Sequence, residues 1–566
     1  MVRYRRLIAA LACLVWVMTI GSGSSFAWIN PDDLKRWQGL GVEFSETYDG
    51  SQGTSVIYAS NPSGLPRPKF EMCQSLQDPV CVKARNIEIF QHFRMCESDQ
   101  IWCIESIWAE DENGKKVEGK LQNYMPRTGD ADYPADEIFG LPASSGSGMI
   151  LSFPEFPHLR GSNYALLVTN HYQFFNTNYQ TQKSVFGKFE LGDLITQIVP
   201  VDIVKDNQYS RWRTERNEKG GGTNNRITSD GRNCFLFDQG ECAAENPFPK
   251  NIKFGISLRI GSDVAGWFHG RLVDPKVSLS SNSRFTRLEV SGQPVVVPGI
   301  KVAVPWSEIP QATIDSVSKG ETTYGTSGVT KSGQEFGVIS LPAAMPAAVD
   351  LYRAFLPITK DKSTFEQSVW SFYTMRPWDT KAQDQVEKCS TSSNSLIGMV
   401  TTNSMIYDPG PPSFESINGS LNYKVTSPHF DSQGDVATGN YDLLMRADVA
   451  RCIYKFSNAP IKGTVEITSD DGNNKIATTS VNENNGWLHM SANNFTFSSP
   501  TIKVKLSQDA PAKVTNQSGA VAPTPIQPTT VEKSKTLSKT ITCIKGKNIK
   551  KVSGANPKCP VGYKTK

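Results

Sequence analysis

The chain lacks the short motifs by which common hydrolases, nucleotide-binding enzymes and metalloenzymes are recognised. It contains no HExxH, no GxSxG, no Walker phosphate-binding loop and no pair of CxxC motifs. The segment GTSGV (325–329) superficially resembles a serine nucleophile motif, but its Gly-, Ser- and Thr-rich surroundings are typical of a flexible turn. Glu105, Glu110 and Asp111 could supply paired carboxylates for glycoside cleavage, although any acidic β protein offers as many. We therefore predict no catalytic residue and no cofactor.

Metal ligands at characteristic spacings are also scarce. The segment SDDGNNK (469–475) offers Asp470, Asp471 and Asn473 to calcium, but it lacks the later acidic ligand of an EF-hand loop. A plain hairpin turn is the simpler interpretation, because Gly, Asn and Asp are typical turn residues. We expect no metal site.

Long hydrophobic runs are absent beyond the first residues. Three arginines within the first six residues precede an apolar run over 7–20, which is shorter than the roughly 20 residues that cross a bilayer. The tripeptide SFA (25–27) then supplies small residues at both positions that determine cleavage. This pattern is typical of a secretory signal peptide over 1–27, with a membrane anchor as the alternative. We expect an exported chain that begins near Trp28 and has no transmembrane span.

Acidic residues are missing from the last 34 residues, which contain ten lysines. Removing these charges and the three signal-peptide arginines from the formal net charge of +4 leaves −9 on residues 28–532. A cationic end on an acidic body suggests contact with an anionic partner, and in an exported protein this is an anionic envelope polymer or another extracellular ligand rather than nucleic acid. A solubilising tail without a partner is the alternative. The lysines predicted to make the contact are Lys545, Lys547, Lys550, Lys551, Lys558 and Lys564.

Ten cysteines remain once Cys13 leaves with the signal peptide. An even count in an exported chain predicts disulfides. Zinc is the competing interpretation, but structural zinc sites favour gaps of about two to four residues between cysteines and a second such pair nearby. By the chain-entropy model the widest link should contribute most, about 4 kcal/mol. The predicted pairs are Cys73 with Cys81, Cys96 with Cys103, Cys234 with Cys242, Cys389 with Cys452 and Cys543 with Cys559.

Short alternating segments dominate the body. The stretches 251–261 and 501–506 each place their large apolar residues on one face of a half-buried strand. The stretch 108–121 contains Asn113-Gly114, a dipeptide favoured in tight hairpin turns whose two central residues have positive φ. Two short helices are expected, one over 30–38 and one over 345–357 that stops before its last proline. The predicted fold class is mainly β: antiparallel sandwiches or jelly-roll-like sheets, stapled by disulfides, with few short helices.

Composition divides the chain into segments. The Gly-, Ser- and Thr-rich stretch 316–334 is typical of a loop or linker and places a boundary near Pro310. After Ser507 a stretch rich in Pro and Thr predicts an extended spacer. The last module is too short to bury a core, so its disulfide is expected to hold it together. The predicted segments are a signal peptide (1–27), a β-rich region (28–310, one domain or two that split near 140), a second sandwich-like domain (311–507), a Pro/Thr/Ser/Lys linker (508–540) and a basic two-cysteine tail (541–566).

Two segments, GWFHGRL (266–272) and GWLHMSA (486–492), share the order Gly-Trp-apolar-His. On a strand, Trp267, His269 and Arg271 lie on one face, and so do Trp487 and His489. An exposed aromatic ring with polar neighbours could stack on a sugar ring. The alternative is that each tryptophan fills a sandwich core and each histidine is a satisfied edge residue, because tryptophan is highly buried on average.

The ending TCIKGKNIKKVSGANPKCPVGYK (542–564) resembles a basic, two-cysteine module that recurs on otherwise unrelated exported proteins of actinobacteria, behind Pro/Thr/Ser-rich spacers. The body is similar to large uncharacterised exported surface proteins of the same bacteria. The segments that carry this similarity are CESDQIWCIESIWAED (96–111), NCFLFDQGECAAENPFP (233–249), GWFHGRLVDP (266–275), ARCIYKFSNAPI (450–461) and GWLHMSANNFTFSSPTIKVKL (486–506). The resemblance implies cell-surface association and brings no assigned activity.

These observations predict a secreted protein of the cell surface or cell wall with a binding or structural role. The alternative is a polysaccharide-active enzyme, a glycoside hydrolase or lyase, with its site on the sheets near Trp108 or Trp267.

Overall fold

The structure is a computed structural model that describes 38–46, 55–61, 69–125, 133–144, 148–175, 188–205, 226–227, 232–238, 240–318, 325–331, 334–340, 346–375, 389, 395–408, 410–468, 474–476, 480–497, 501–508, 539–545, 548–554, 559 and 563–565. Its contacts divide the chain into two compact units, Met1–Asp509 and Ala510–Lys566. The predicted signal peptide and almost all of the helix predicted over 30–38 lie outside the described residues.

Strands make up most of the described part. In chain order they are β1 (Gly39–Phe44), β2 (Val56–Asn61), β3 (Lys69–Cys73), β4 (Asn86–His92), β5 (Cys103–Glu110), β6 (Lys116–Glu118), β7 (Lys120–Met125), β8 (Gly148–Ser152), β9 (Asn163–Phe175), β10 (Asp193–Lys205), β11 (Arg226–Ile227), β12 (Asn233–Asp238), β13 (Glu241–Glu245), β14 (Lys253–Ile260), β15 (Gly266–Ser281), β16 (Thr286–Pro305), β17 (Gly325–Lys331), β18 (Gln334–Ser340), β19 (Phe365–Thr374), β20 (Leu396–Thr402), β21 (Ile406–Tyr407), β22 (Ser413–Glu415), β23 (Ser420–Thr426), β24 (Thr438–Arg446), β25 (Lys462–Thr468), β26 (Asn474–Ile476), β27 (Ser480–Asn484), β28 (Trp487–Thr496), β29 (Thr501–Ser507), β30 (Lys539–Lys545), β31 (Asn548–Gly554) and β32 (Lys564–Thr565).

Helices are few and short, as predicted. Those in the described residues are α1 (Pro79–Val82), α2 (Gln311–Ser318), α3 (Pro346–Thr359), α4 (Ala447–Tyr454) and the 3-10 turn Trp306–Glu308. Among the described residues, none of these helices is both long and apolar enough to cross a membrane.

A long sheet forms the middle layer of the first unit, and we call it the central sheet. Its neighbouring strands are, in order, β3, β2, β4, β9, β10, β19, β15, β20, β24, β28 and β27. Each neighbouring pair is antiparallel except β15 with β20, which is parallel. The predicted class, mainly β with antiparallel sheets, is confirmed.

One face of the central sheet packs against a second sheet made of β6, β5, β14, β16 and the last part of β15. The alternation predicted over 251–261 is confirmed, because Phe254, Ile256 and Leu258 on β14 are fully buried in the core between the two sheets. Strand β15 belongs to both layers: its first residues pair within the central sheet and its last residues pair with β16.

The other face of the central sheet packs against a six-stranded sheet, whose order is β21, β23, β29, β25, β26, with β22 paired to β23. Alternate residues of β29, Ile502, Val504 and Leu506, are buried there as predicted. They contact apolar residues of β24 and β28, such as Leu443 and Met490. The result is a second sandwich that shares the central sheet with the first.

Helix α3 differs from its prediction at its end. It begins at Pro346 as expected, but it continues through Pro357 to Thr359. Proline removes one helical hydrogen bond, yet the last turn persists because Ile358 packs against a core cluster that also contains Phe355. The amide of Lys360 then donates to the carbonyl of Leu356 at 2.8 Å and closes the turn.

The boundary predicted near Pro310 falls inside the first unit. Strand β1 pairs with β16 on one side and with β18 on the other, and β15 pairs with β19 and β20. These ladders join residues before and after Pro310 into the same sheets. The stretch GTSGV (325–329), predicted to be a flexible turn, belongs to strand β17 and pairs along its length with β18.

Four of the five predicted disulfides are confirmed: Cys73–Cys81, Cys96–Cys103, Cys234–Cys242 and Cys389–Cys452, with Cα–Cα distances from 5.0 to 5.9 Å. Cys559 is also disulfide-bonded. The side chain of Cys543, its predicted partner, lies outside the described residues, so that pair stays a prediction.

The hairpin predicted over 108–121 is confirmed between β5 and β6, but its turn differs from the predicted one. Only Gly114 has positive φ, at 79°, whereas Asn113 does not. The amide of Gly114 donates to the carbonyl of Asp111, and Asp111 Oδ1 accepts the amides of Asn113 and Lys115 at 2.9 Å each. The turn therefore has the three-residue form that ends in one left-handed glycine.

The second unit contains a small antiparallel sheet with the order β31, β30, β32. The register pairs Ile544 with Ile549 and with Lys564, so both neighbours of β30 are fixed by backbone hydrogen bonds. Residues 509–538 of the predicted linker lie outside the described residues.

Candidate functional site

The first Gly-Trp-apolar-His segment lies in the middle of the central sheet. Strand β15 places Trp267, His269 and Arg271 on the face that the six-stranded sheet covers. Trp267 is 3% exposed, and the other two side chains are 0% exposed. A sugar platform needs an exposed aromatic face, and Trp267 presents none. It fills the core, as the alternative interpretation has it.

Arg271 is buried, and both terminal nitrogens of its guanidinium group donate hydrogen bonds. Its Nη1 donates to the carbonyl oxygens of Thr402 at 2.9 Å and Ser404 at 2.7 Å, and its Nη2 donates to the carboxylate of Glu46. Burial lowers the pKa of the guanidinium, but the charge and hydrogen bond of Glu46, together with Tyr407 and Tyr373, raise it above the ordinary value overall. Arg271 therefore stays charged and joins β15 to the segments that follow β1 and β20.

His269 belongs to the same buried polar cluster. Its ring stacks on Tyr407 with centroids 3.9 Å apart, and the hydroxyls of Tyr373 and Tyr407 share a hydrogen bond. Burial, and then the charge of Arg271, holds the pKa of His269 well below its ordinary value, so the ring is neutral. Burial also raises the pKa of Tyr407 to about 12. These contacts give the first segment a structural role inside the sandwich.

The second Gly-Trp-apolar-His segment reaches the surface. Asn485 and Gly486 both have positive φ, 49° and 79°, and they join β27 to β28 as a two-residue hairpin turn. Strand β28 starts directly at Trp487. Trp487 and His489 lie on the same strand face, and both are half-buried. One side of Trp487 packs against the core between the central sheet and the second sheet.

His489 is held by a buried carboxylate on the neighbouring strand. Its Nε2 donates to Oδ1 of Asp442 at 2.8 Å. Burial raises the pKa of Asp442 above its ordinary value, although the bond to His489 opposes this. Burial lowers the pKa of His489, but the hydrogen bond and charge of Asp442, with a smaller effect from Asp274, raise it overall. The ring is therefore oriented and is a stronger base than a free histidine.

A cleft with a cavity of about 610 Å³ opens beside Trp487, and we call it the Trp487 cleft. This volume lies in the range of small-molecule sites, roughly 300–1,000 Å³. Its walls come from the end of β15, the start of β16, the start of β20, helix α4 and the β27–β28 turn. The apolar lining is Val264, Leu279, Leu396, Ala447, Gly486 and Trp487. The polar lining is Asp263, Ser281, Thr286, Ser395, Arg446, Asp448, Arg451, Asn458, Glu483 and Asn485.

The charges of the Trp487 cleft are mostly paired within its walls. The Nε of Arg446 donates to Asp448 at 2.9 Å and its Nη2 donates to the second oxygen, while its Nη1 donates to Ser395 Oγ. Arg451 Nη2 donates to Glu483 at 2.9 Å. Asp263 makes no ion pair with a described residue. The cleft thus carries one more carboxylate than guanidinium, and each arginine is already paired with a carboxylate.

The wall formed by α4 is fixed at several points. The amide of Ala447 donates to the carbonyl of Gly486 at 2.8 Å, which ties the start of the helix to the β27–β28 turn. Arg451 Nε donates to the carbonyl of Ser457 at 3.1 Å. Cys452, next to Arg451, is bonded to Cys389 in the segment before β20. A rigid wall lowers the entropy cost of binding.

The other predicted candidates have structural roles or lie outside the described part. Glu105 binds Arg259 and Arg287, and the bond to Arg287 lowers its pKa to about 2, so it is ionised and unsuited to be a general acid. Asp111 caps the β5–β6 turn. Residues 469–473 of the possible calcium segment lie outside the described residues. Among the residues that the structure describes, no group of three or more His, Cys, Asp or Glu side chains is placed to hold a metal ion. Of the predicted tail lysines, only Lys564 has a described side chain, and it is exposed.

Sequence reasoning found Trp487 but missed the rest of the cleft, and His489, predicted with it, is not part of the lining. Its residues come from five separated segments, and nothing in their local spacing links Arg446 to Ser395 or Arg451 to Glu483. The Asn485-Gly486 dipeptide was an available signal, because it predicts a tight turn that ends at Trp487.

Comparisons with known proteins do not identify the chain: no family model, no curated protein and no solved structure matches it.

Proposed function

We propose that this is an exported protein of the cell envelope that binds a ligand through its β-sandwich body and is retained at the surface by its cationic end. The observation that carries the proposal is the separation of charge between two units. The second unit contains ten lysines and no acidic residue from residue 533 onward, whereas the body is acidic.

The second unit has the properties of a module rather than of a loose charged tail. Its three strands form a backbone ladder, and Cys559 is disulfide-bonded. A folded scaffold that holds many like charges close together is stabilised by an anionic partner, since like charges otherwise repel. The partner class is therefore an anionic polymer with phosphate or carboxylate groups outside the membrane.

A polysaccharide-active enzyme is the second candidate, because the Trp487 cleft holds carboxylates beside an aromatic ring. Two of its three carboxylates, Asp448 and Glu483, are bound to arginines. Their carboxylate oxygens already accept hydrogen bonds from the guanidinium groups, which favours binding over glycoside cleavage. Incubation with candidate glycans separates the two functions, since a binder retains its ligand without releasing shorter products.

Retention on anionic supports tests the proposed function. We expect the mature chain to bind immobilised polyphosphate or polygalacturonate at low salt and to elute as salt is raised. A chain that ends at Ser507 should not bind. A sharper variant replaces the six predicted tail lysines by glutamine in the full chain, and its matched control replaces six exposed body lysines. The control lysines are Lys83, Lys115, Lys120, Lys205, Lys250 and Lys276.

Equal retention of the full chain and the chain ending at Ser507 contradicts the proposal. So does retention of the full chain that is insensitive to salt, or a loss that is the same for the tail and the body substitutions.

A further inference from the structure

The Trp487 cleft has open polar groups that differ from those of an anion site. The side-chain amides of Asn458 and Asn485 form no hydrogen bond with a described residue, and neither does the carboxylate of Asp263. Each amide offers two donors and one acceptor, and the carboxylate offers acceptors only. Together they suit a ligand whose groups donate and accept at once, as hydroxyl groups do.

An apolar surface accompanies these groups. One side of Trp487 packs on the core while the residue remains half-exposed, so the other side faces the cleft. Leu279, which is half-buried, extends this apolar wall. A pyranose ring has a C–H face that packs on an indole and hydroxyls around its rim, and it therefore matches both parts of the lining.

The charge balance selects among sugars. Arg446 and Arg451 are already bound by Asp448 and Glu483, so no free guanidinium is left to pair with a uronate or a sugar phosphate. Asp263 repels an anion further. A cationic amino sugar could approach Asp263 and Trp487. Its amino group, however, would interact with the side-chain amides of Asn458 and Asn485 no better than a neutral hydroxyl or acetamide group does.

From these contacts we infer that the Trp487 cleft binds a neutral glycan, with one sugar ring stacked on Trp487 and its hydroxyls on Asn458 and Asn485. This inference specifies the ligand class of the proposed binding function. It rests on that function in one respect only, that the body is the unit that binds the ligand. It does not depend on the tail.

Calorimetry with three 1,4-linked pentasaccharides of different charge tests the inference on the full mature chain. The probes are N-acetylglucosamine pentamer (neutral), glucosamine pentamer (cationic) and galacturonic acid pentamer, which is α-linked and anionic. Cellopentaose provides a second neutral chain. We expect binding of at least one neutral probe in the body, and binding that persists in a chain ending at Asp509, which keeps the Gln508 side chain that binds Ser457 and Ala459 on either side of Asn458. If the anionic probe binds the full chain but not the truncated chain, that binding belongs to the tail and does not contradict the glycan site.

Three variants locate the binding. Trp487→Ala should weaken the neutral probe at least about tenfold, since loss of an aromatic contact costs on the order of 1.4 kcal/mol. Asn458→Ala should weaken it about threefold or more; Asn458 is exposed and forms no hydrogen bond with a described residue, so the variant should fold normally. Trp306→Ala is the matched control, because Trp306 is also half-buried but packs on a different core cluster, and it should leave binding unchanged.

The inference is overturned if neither neutral probe binds at millimolar concentration, or if only the cationic probe binds. It is also overturned if Asn458→Ala and Trp487→Ala both bind like the unmodified chain. If no neutral glycan binds but retention on anionic supports is still sensitive to salt, only the glycan site is refuted. If a neutral glycan binds but retention does not depend on the tail, only the proposed role of the tail is refuted.

Discussion

His489 Nε2 donates to Asp442 Oδ1 at 2.8 Å, between adjacent strands of the central sheet. Asp442 is 2% exposed, whereas the His489 side chain is 29% exposed. The pair therefore links a buried carboxylate to a ring that reaches the surface two residues beyond Trp487. Asp274, whose carboxylate binds Lys253 at 3.1 Å, also acts on both groups.

This relationship predicts a pH-dependent contribution to stability. The pKa of His489 is raised above 6.5, so the folded chain holds this proton more tightly than the unfolded chain. The contribution is complete below pH 6.5 and is lost as pH rises through the folded pKa. Near pH 6 we expect His489→Gln to cost roughly 2 kcal/mol, the value of a hydrogen bond to a charged group. Urea unfolding at several pH values measures this.

His158 supplies a control of opposite sign. Burial lowers its pKa below 6.5, so stability associated with His158 should increase as pH rises toward 6.5. A cost of His489→Gln that stays constant from pH 6 to 9 would contradict the assigned pair. Direct titration of the His489 ring by NMR should place its pKa above 6.5.

The buried ion pair between Arg271 and Glu46 predicts a large loss on truncation. Arg271→Met leaves Glu46 without its partner and two carbonyl oxygens without their donor. Breaking a buried pair from one side costs about 3–5 kcal/mol. Arg271→Lys should also be destabilising, because one ammonium cannot reproduce the forked contacts. Arg284→Met is the control, since its ion pair with Asp99 is exposed on both sides and should change stability by less than about 1 kcal/mol. Equal unfolding free energies for Arg271→Met and the unmodified chain would refute the buried pair.

Gly398 tests the core position of Trp267. A Cβ at this residue would lie 2.4 Å from Trp267 Cζ3 and 2.4 Å from the carbonyl oxygen of Leu444. We expect Gly398→Ala to destabilise by about 1–3 kcal/mol, the usual cost of overpacking. Gly410→Ala is the control, because a Cβ there meets nothing within 4 Å. If both variants unfold at the same denaturant concentration as the unmodified chain, Trp267 is not packed against β20 as described.

Local patterns predicted local structure well. Alternation identified β14 and β29, and the cysteine spacing identified four disulfides. Each of these features depends on residues close together in the chain or on a simple period, except the Cys389–Cys452 disulfide, whose cysteines are 63 residues apart. The β5–β6 turn shows the limit of this approach: the dipeptide predicted the hairpin, but the cap by Asp111 decided which residue takes positive φ.

Non-local pairing explains what sequence reasoning could not supply. The same four-residue order places Trp267 in a core and Trp487 beside a cleft, because the six-stranded sheet covers one face of β15 while β28 is next to the edge strand β27. Likewise, a change of composition suggested a boundary near Pro310, but the β1 to β18 ladder crosses it. Asp442 and His489 are 47 residues apart, and only the β24–β28 register brings them together.

The Cys389–Cys452 disulfide links stability to the proposed glycan site. Its 63-residue separation predicts a loss of about 4 kcal/mol when both cysteines are replaced by serine, against about 2.5 kcal/mol for Cys73–Cys81, whose separation is 8. Because Cys452 adjoins Arg451 in the wall of the Trp487 cleft, its removal should also weaken a neutral glycan, whereas the Cys73 and Cys81 variant should not. Urea unfolding and calorimetry on both double variants measure the two effects. If the two variants bind the glycan equally well, the disulfide does not preorganise the cleft, and its contribution is limited to the fold.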